Sequence, residues 1–170
     1  MQQDNEFIDK FWNLIRSDMT AMVGTDSVSP RPMTAQFDGE RPVIYFFTSK
    51  ETDLAKAAAS PQKAQLIYAA KGHDLFAAAD GTLRVNNDPA LIDRLWNRFV
   101  AAWFEGGKDD PKLSLLRFDP GSAEVWKDAS SLVAGIKMFL GMGDPKEDYK
   151  DDVAEVKLGR RLISAQPQPH

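Results

Sequence analysis

The feature that most constrains this fold is a series of apolar, β-branched and aromatic runs joined by short turns instead of helical crossovers. Residues 43–48 form one such run, and its composition suits a buried, pleated surface. Asp38-Gly39 and Asp80-Gly81 are strong hairpin signals, and Asp119-Pro120-Gly121 indicates another turn. Other predicted strands are 19–26, 31–37, 64–70, 74–79, 83–85, 113–118, 123–126 and 153–158. Strands joined by hairpins pair antiparallel, so the pattern predicts an antiparallel sheet, and closure into a barrel would remove its exposed edges.

Fewer segments have the apolar spacing of helices. They are 5–17, 52–59, a stripe from Leu91 to Trp103, and the Met/Gly-rich residues 131–140. Thr52 or Ser49 is available to cap the second helix, and Asp88-Pro89 begins the third in the preferred order of cap and then proline. The first three strands are predicted to form a meander. The class is therefore mainly β with some α, an α+β fold.

Composition limits the possible functions. The 170 residues suit a single domain, which we place at 1–160, with a disordered tail at 161–170. A net charge of −4 argues against binding duplex nucleic acid, which requires a basic face. Without cysteine there is neither a disulfide nor a thiolate metal site. The acidic start MQQDNEFIDKFW does not resemble a signal peptide, and no apolar run has the length of a membrane span. These features predict a cytoplasmic protein.

The first candidate for a binding residue is Arg31, which lies between Pro30 and Pro32. Each proline lacks an N–H group and forces its preceding residue into an extended conformation. A guanidinium held at such a strand entry suits bidentate binding of a phosphate. An arginine at a solvated strand end is the alternative interpretation.

A second candidate follows one strand later, where Thr48 and Ser49 end an aromatic run and precede Lys50 and Lys56. Hydroxyl groups that lead into a helix N-terminus can donate to an anion, although they can equally cap the helix. We expect these hydroxyls and Arg31 to meet on adjacent antiparallel strands.

Several familiar catalytic arrangements are missing. His73 is the only histidine outside the tail, so neither a histidine metal site nor a Ser-His-Asp set is predicted. No glycine-rich phosphate loop occurs. Trp96, Phe99 and Trp103 have helical spacing that is typical of core residues, and Trp103 is also a candidate for contact with a ring cofactor.

Two stretches together resemble a known family. Arg31-Pro32-Met33-Thr34, followed after a short gap by Tyr45-Phe46-Phe47-Thr48-Ser49, are similar to the FMN-binding split-barrel superfamily of pyridoxamine 5′-phosphate oxidase, in particular its general stress protein 26-like group. The stretches 95–111 and 123–126 strengthen the resemblance, which covers about residues 5–130.

The resemblance implies a six-stranded antiparallel split β-barrel with flanking helices and a homodimer with two flavins at the subunit interface. Arg31 would contact the phosphate of FMN (or FAD), the backbone of 31–36 would lie along the ring, and Trp103 would come from the other subunit. The cofactor-binding residues expected on this basis, together with the two lysines, are Arg31, Pro32, Met33, Thr34, Phe47, Thr48, Ser49, Lys50, Lys56 and Trp103.

The chain departs from the oxidases in three places. Asp53-Leu54 occupies the position of a phosphate-binding Arg-Lys pair, Phe76 replaces a glutamine at the flavin ring, and the substrate signature is not recognisable in 157–170. These departures argue against pyridoxamine phosphate oxidation. The functions left open are a flavin-dependent oxidoreductase with an unknown small substrate, a non-catalytic flavin-binding stress protein, and a barrel that binds deazaflavin F420 or haem.

Overall fold

The computed structural model describes residues 2–127 and 153–159. The elements in chain order are α1 Gln2–Asp18, β1 Thr20–Thr25, β2 Arg31–Thr34, β3 Ile44–Ser49, α2 Asp53–Ala57, β4 Gln62–Ala69, β5 Leu75–Val85, α3 Pro89–Leu95, α4 Arg98–Ala101, a 3-10 turn Gly107–Asp109, β6 Leu113–Lys127 and β7 Val153–Lys157. The helix predicted at 131–140 and the tail predicted at 161–170 lie outside the described residues.

All strand pairs are antiparallel, in the order β2-β1-β4-β5-β6-β3, and β7 pairs with the second half of β6. Just beyond β2, Gln36 forms an isolated bridge with Tyr45 of β3, which links the first strand of this order to the last. The predicted α+β class with an antiparallel sheet is confirmed, and the closure is consistent with a split barrel. The part of the chain described here holds seven strands, so the predicted count of six is not confirmed.

The predicted meander of the first three strands is wrong. β1 pairs with β2 as expected, but β3 pairs along its whole length with β6. Gly39 occupies a turn at φ +62° between β2 and β3, yet those strands are joined only by the Gln36–Tyr45 bridge. Residues 113–118 are a longer and more apolar partner for β3 than the four residues of β2, so the non-local pairing buries more surface.

Two predicted turns, Asp80-Gly81 and Asp119-Pro120-Gly121, are also wrong. Both lie inside long strands that pair with each other, and the register shifts between Ala79 and Gly81. A Cβ atom at Gly81 would lie 2.4 Å from the carbonyl oxygen of Asp119. Glycine here allows close approach of two backbones at a β-bulge, which bends the strands without ending them.

The third predicted helix is interrupted. α3 ends at Leu95 because Trp96 and Asn97 are extended, and α4 begins at Arg98. The side-chain oxygen of Asn97 accepts hydrogen bonds from the N–H groups of Phe99 and Val100, so it caps α4. Of the two caps predicted for α2, Thr52 is the one that forms, and the predicted cap Asp88 is confirmed for α3.

The core has two parts. The barrel interior is filled by residues of β1–β7, covered at one side by α1 through Phe7, Phe11 and Ile15. A smaller cluster between β3, β6 and helices α3 and α4 includes Tyr45, Leu95 and Leu115. The second cluster places α4 next to the ends of β2 and β3, where the candidate site lies.

Candidate functional site

A cavity of about 340 Å³ opens where β2, the end of β3 and α4 meet. None of the described residues that line it has a titratable side chain. They are Pro32, Met33, Thr34, Gln36, Phe47, Thr48, Ser49, Phe99, Val100, Trp103 and Phe104. The wall is thus mainly apolar and aromatic with a few hydroxyl and amide groups, which is the usual character of a small-molecule pocket.

The structure brings seven of the ten predicted residues to this cavity. These are Pro32, Met33, Thr34, Phe47, Thr48, Ser49 and Trp103. Trp103 lines the cavity of its own chain, whereas the resemblance implied that it would come from the other subunit. Arg31, Lys50 and Lys56 are not among its lining residues. The site prediction omitted Gln36, Phe99, Val100 and Phe104. Gln36 continues the alternation of Pro32 and Thr34 along the chain, a signal that could have identified it.

Arg31 lies one residue from the cavity wall, on the same face of β2 as Met33. Its side chain is half-buried, and its Nε atom is enclosed without a hydrogen-bond partner among the described residues. Because the guanidinium as a whole is only half-buried, the remainder of its donors can bind an incoming anion.

The hydroxyl groups at the end of β3 are not equivalent. Thr52 donates its single hydroxyl hydrogen to the Ser49 carbonyl oxygen at 2.9 Å, so in the 3.3 Å contact between the Thr48 and Thr52 hydroxyls Thr48 must donate. Thr48 therefore keeps only acceptor capacity. Ser49 Oγ accepts from the N–H of Glu51 at 3.2 Å and keeps its own hydrogen. Of the two predicted anion donors, Ser49 alone retains that ability.

The two lysines lie outside the cavity. Both are exposed, and the backbone N–H of Lys50 donates to the carbonyl oxygen of Lys112 at 2.8 Å. The N-terminus of α2 is not suited to an anion either. The helix has only five residues and carries Asp53 in its first turn, and the Thr52 hydroxyl accepts a hydrogen bond from the N–H of Ala55. A role for these lysines in binding phosphate stays a prediction.

The aromatic side of the cavity is partly supported and partly open. The ring of Phe47 meets Trp96 edge to face with centroids 6.0 Å apart, and Trp96 in turn packs against Phe104. Phe99 and Trp103, by contrast, are 68% and 84% exposed. Large aromatic side chains with so little packing can contact a ligand or a second protein surface.

Ion pairs hold the surrounding loops. Arg94 of α3 donates twice to Asp38 in the β2–β3 connection, at 3.0 and 3.3 Å. The hydrogen bond from Arg94 lowers the pKa of the Asp38 carboxyl below its ordinary value. Asp93 pairs with Lys108 beyond α4, and that hydrogen bond lowers the pKa of Asp93. The last turn of α3 is therefore attached both to the β2–β3 connection and to the loop that follows α4.

The remaining residues singled out in the sequence lie away from the cavity. His73 occupies a turn at φ +56° and stacks on Phe76, whose ring is on the outer face of β5. In residues 2–127 and 153–159, no group of three or more histidine or acidic side chains is arranged to hold a metal ion. Within the same residues, no helix is both long and apolar enough to cross a membrane.

The sequence itself matches a defined family. Residues 6–145 match the family described as pyridoxamine 5′-phosphate oxidase like. The chain belongs to this family. The resemblance inferred from Arg31–Thr34 and Tyr45–Ser49 is thereby confirmed.

Individual relatives agree with that assignment. General stress protein 26 of Bacillus subtilis (strain 168) is 34% identical over 93 residues, which are 53% of this chain. The chain covers 64% of that relative's length. The general stress FMN/FAD binding protein of Xanthomonas citri is 46% identical, with a TM-score of 0.71 over 75% of this chain and 92% of the other. A general stress protein 26 candidate from Jannaschia sp. CCS1 is 32% identical, with a TM-score of 0.72 over 91% of this chain and 99% of the other.

Proposed function

We propose that this family member binds FMN in the cavity between β2, β3 and α4, and that a homodimer completes the site. The observation that carries the proposal is the convergence of the Pro32–Thr34 strand and the Phe47–Ser49 strand end on one cavity with an aromatic wall. Its volume of about 340 Å³ falls at the lower end of the range for ligand pockets. The Xanthomonas citri relative, described as an FMN/FAD binding protein, supports the same ligand class.

The phosphate of FMN would be bound by Arg31 with help from Ser49. The half-buried guanidinium of Arg31 stands at the first residue of β2, and Ser49, which keeps its hydroxyl hydrogen, is the last residue of β3. Lys50 and Lys56 would supply mobile positive charge from the exposed side. FAD is the alternative cofactor, because lysines on an open rim can accommodate a diphosphate.

A second copy of this chain would cover the outer face of the sheet. Across four adjacent strands, Pro32 pairs with Met22, Met22 with Ile67, and Ile67 with Ala78, which makes an apolar band about 15 Å wide. Met22 and Ile67 are 37% and 38% exposed, unusually high for large apolar side chains on a strand. Because Pro32 also lines the cavity, the band continues into the site, and a partner seated on it would narrow the cavity mouth.

Two activities fit such a site. With no titratable group on the described lining, a bound flavin would supply the redox chemistry while the protein orients the ring and excludes water. The chain would then be an oxidoreductase for a small substrate, or a stress protein that holds flavin with little turnover. Asp53-Leu54 and Phe76 stand where the oxidases have a phosphate-binding Arg-Lys pair and a glutamine, and these differences argue against pyridoxamine phosphate as the substrate. Reduction by NADPH followed by turnover of an acceptor would separate the two activities.

Deazaflavin F420 and haem remain the alternative cofactors, and a cytoplasmic location stays a prediction.

The phosphate assignment is tested with the variant Arg31→Ala. Its Kd for FMN should rise at least tenfold while its Kd for riboflavin changes little, because only FMN carries the phosphate. Arg84→Ala, which removes an exposed arginine of β5, is the matched control and should bind FMN normally. Equal losses for FMN and riboflavin would remove Arg31 from the phosphate site, and a wild-type protein without affinity for any flavin would overturn the proposed function.

The dimer is tested by light scattering after gel filtration. Ile67→Glu places a charge in the apolar band and should give a monomer with weakened FMN binding. Ser122→Glu adds the same charge at an exposed position on β6 and should remain dimeric. A monomeric wild-type protein at micromolar concentration would contradict the proposed assembly.

A further inference from the structure

Gln36 is one of two buried polar residues in the described chain, and it is the one that lines the cavity. The residue is only 8% exposed. Its backbone is held by two hydrogen bonds with Tyr45, of 2.7 and 2.9 Å. A buried carboxamide normally satisfies both its oxygen and its nitrogen, so the direction in which this one points determines what the cavity offers a ligand.

That direction follows from Asn97. Its Oδ1 accepts from the N–H groups of Phe99 and Val100 at 3.0 and 3.1 Å, and its Nδ2 donates to the Leu95 carbonyl oxygen at 3.2 Å. Backbone N–H groups only donate and carbonyl groups only accept, so these three contacts leave Asn97 a single orientation. Its remaining N–H reaches the oxygen of Gln36, with Nδ2 and Oε1 3.4 Å apart.

The orientation of Asn97 determines which end of the Gln36 carboxamide faces the cavity. Because Asn97 presents a donor, Gln36 turns its Oε1 toward α4 and keeps its Nε2 for the cavity. That nitrogen has no hydrogen-bond partner within residues 2–127 and 153–159. Its two hydrogens are therefore available to a ligand.

We infer that Asn97 is a positioning residue that makes Gln36 present its Nε2 as a hydrogen-bond donor to the cavity. The site thereby selects planar ligands whose edge carries carbonyl oxygens or unprotonated ring nitrogens. The inference rests on the proposed function in one respect, since the pyrimidine-dione edge of a flavin has such acceptors and its dimethylbenzene edge has none. The break between α3 and α4 places Asn97 where it can make these contacts. Asn97 contacts both the backbone of α4, which carries the aromatic wall, and Gln36, the buried polar residue of the cavity lining.

The decisive variant is Asn97→Asp. Aspartate caps a helix as well as asparagine does, so α4 should be preserved, although loss of the hydrogen bond to the Leu95 carbonyl oxygen should lower the thermal unfolding midpoint. A carboxylate cannot donate, however, and it would attract the Nε2 of Gln36 and turn the Oε1 toward the cavity. FMN affinity should then fall about tenfold, the scale of one lost hydrogen bond plus one repulsive contact.

A matched control and a double variant separate positioning from a structural role. Asn87→Asp makes the same chemical change at a residue whose oxygen accepts the Leu115 N–H at 2.7 Å, away from the cavity, and should bind FMN like the wild type. Gln36→Leu should lose affinity by itself, and adding Asn97→Asp to it should cause no further loss. An equal loss from Asn97→Asp with and without Gln36 would overturn the inference.

A measurement without ligand keeps this test independent of flavin binding. The side-chain amide ¹⁵N–¹H signals of Gln36, identified by their disappearance in Gln36→Leu, should shift in Asn97→Asp and stay in place in Asn87→Asp. Unchanged signals would overturn the inference even if FMN binds. If FMN fails to bind but the signals shift, the proposed function fails while the orientation of Gln36 by Asn97 stands.

Discussion

The barrel interior and the cavity wall are built on different physical principles. The interior is filled by side chains that are almost wholly buried, including Phe46, Leu66 and Phe118. The cavity wall relies on helices of seven and four residues, with Phe99 and Trp103 largely exposed. Burial of apolar surface stabilises both regions, but in the second it comes from the smaller cluster around Tyr45 and Leu95, which hydrogen bonds and ion pairs supplement. We therefore expect the interior to determine folding and the wall to determine recognition.

The largest effect should come from a matched pair of phenylalanines. Phe46→Ala removes a ring with no exposed surface and should lower the free energy of unfolding by about 3–5 kcal/mol. Phe99→Ala removes a ring that is 68% exposed and should change that free energy by less than about 0.5 kcal/mol while weakening FMN binding. Urea unfolding and flavin titration measure the two quantities. Similar losses of unfolding free energy in both variants would contradict the conclusion that the interior, and not the cavity wall, determines folding.

The next effect concerns the bend of the barrel. At Gly81 a methyl group would lie 2.4 Å from the Asp119 oxygen and 2.7 Å from the Phe118 ring, so Gly81→Ala should cost about 1–3 kcal/mol. Gly39→Ala meets no atom within 4 Å but is strained at φ +62°, and should cost about 1 kcal/mol. Both are measured by thermal unfolding. If Gly81→Ala is the milder of the two, the close backbone approach does not matter to stability.

A smaller effect is expected at Asp18, which joins the end of α1 to the sheet. Its carboxylate accepts from the Tyr68 hydroxyl and, at 2.8 Å, from the N–H of Lys71, and the Tyr68 hydrogen bond chiefly lowers its pKa below the ordinary 3.8. Its contribution is therefore present above pH 3.8 and lost as the pH falls through the lower folded value. Asp18→Asn should cost about 1 kcal/mol at pH 7, and the gap from the wild type should close on acidification. A gap that persists at pH 2 would contradict this linkage.

The smallest effect belongs to the rim of the site. Asp38→Asn weakens the pair with Arg94, whose side chain is 52% exposed, and should cost about 0.2–1 kcal/mol at pH 7. High salt should reduce the difference further because exposed charges are screened. The check is urea unfolding at low and high ionic strength. A loss above about 2 kcal/mol would show that this ion pair is as important to the fold as the barrel core.

Sequence patterns could predict elements whose signals are local. The strand predicted at 64–70, the cap of α2 and the Asp88-Pro89 helix start depend on neighbouring residues. The structure has the strand as β4 Gln62–Ala69, and Thr52 and Asp88 as the caps. Gly81 and Asp119 were misread as turns because the same dipeptides serve in hairpins and in bulges. Which of the two forms depends on a partner strand that is nearly 40 residues away.

For the candidate site, the sequence alone determined that Pro32–Thr34 and Phe47–Ser49 are strand segments and that the chain resembles a known family. That these segments bind a ring-bearing ligand stays a prediction. Only the tertiary structure decided that these segments share a cavity with α4, that Lys50 and Lys56 lie outside it, and that the buried Gln36 lines it. The physical reason is that hydrogen-bond direction and cavity shape arise from contacts between distant residues. The contact of Gln36 with Asn97 spans 61 positions, and no local pattern encodes it.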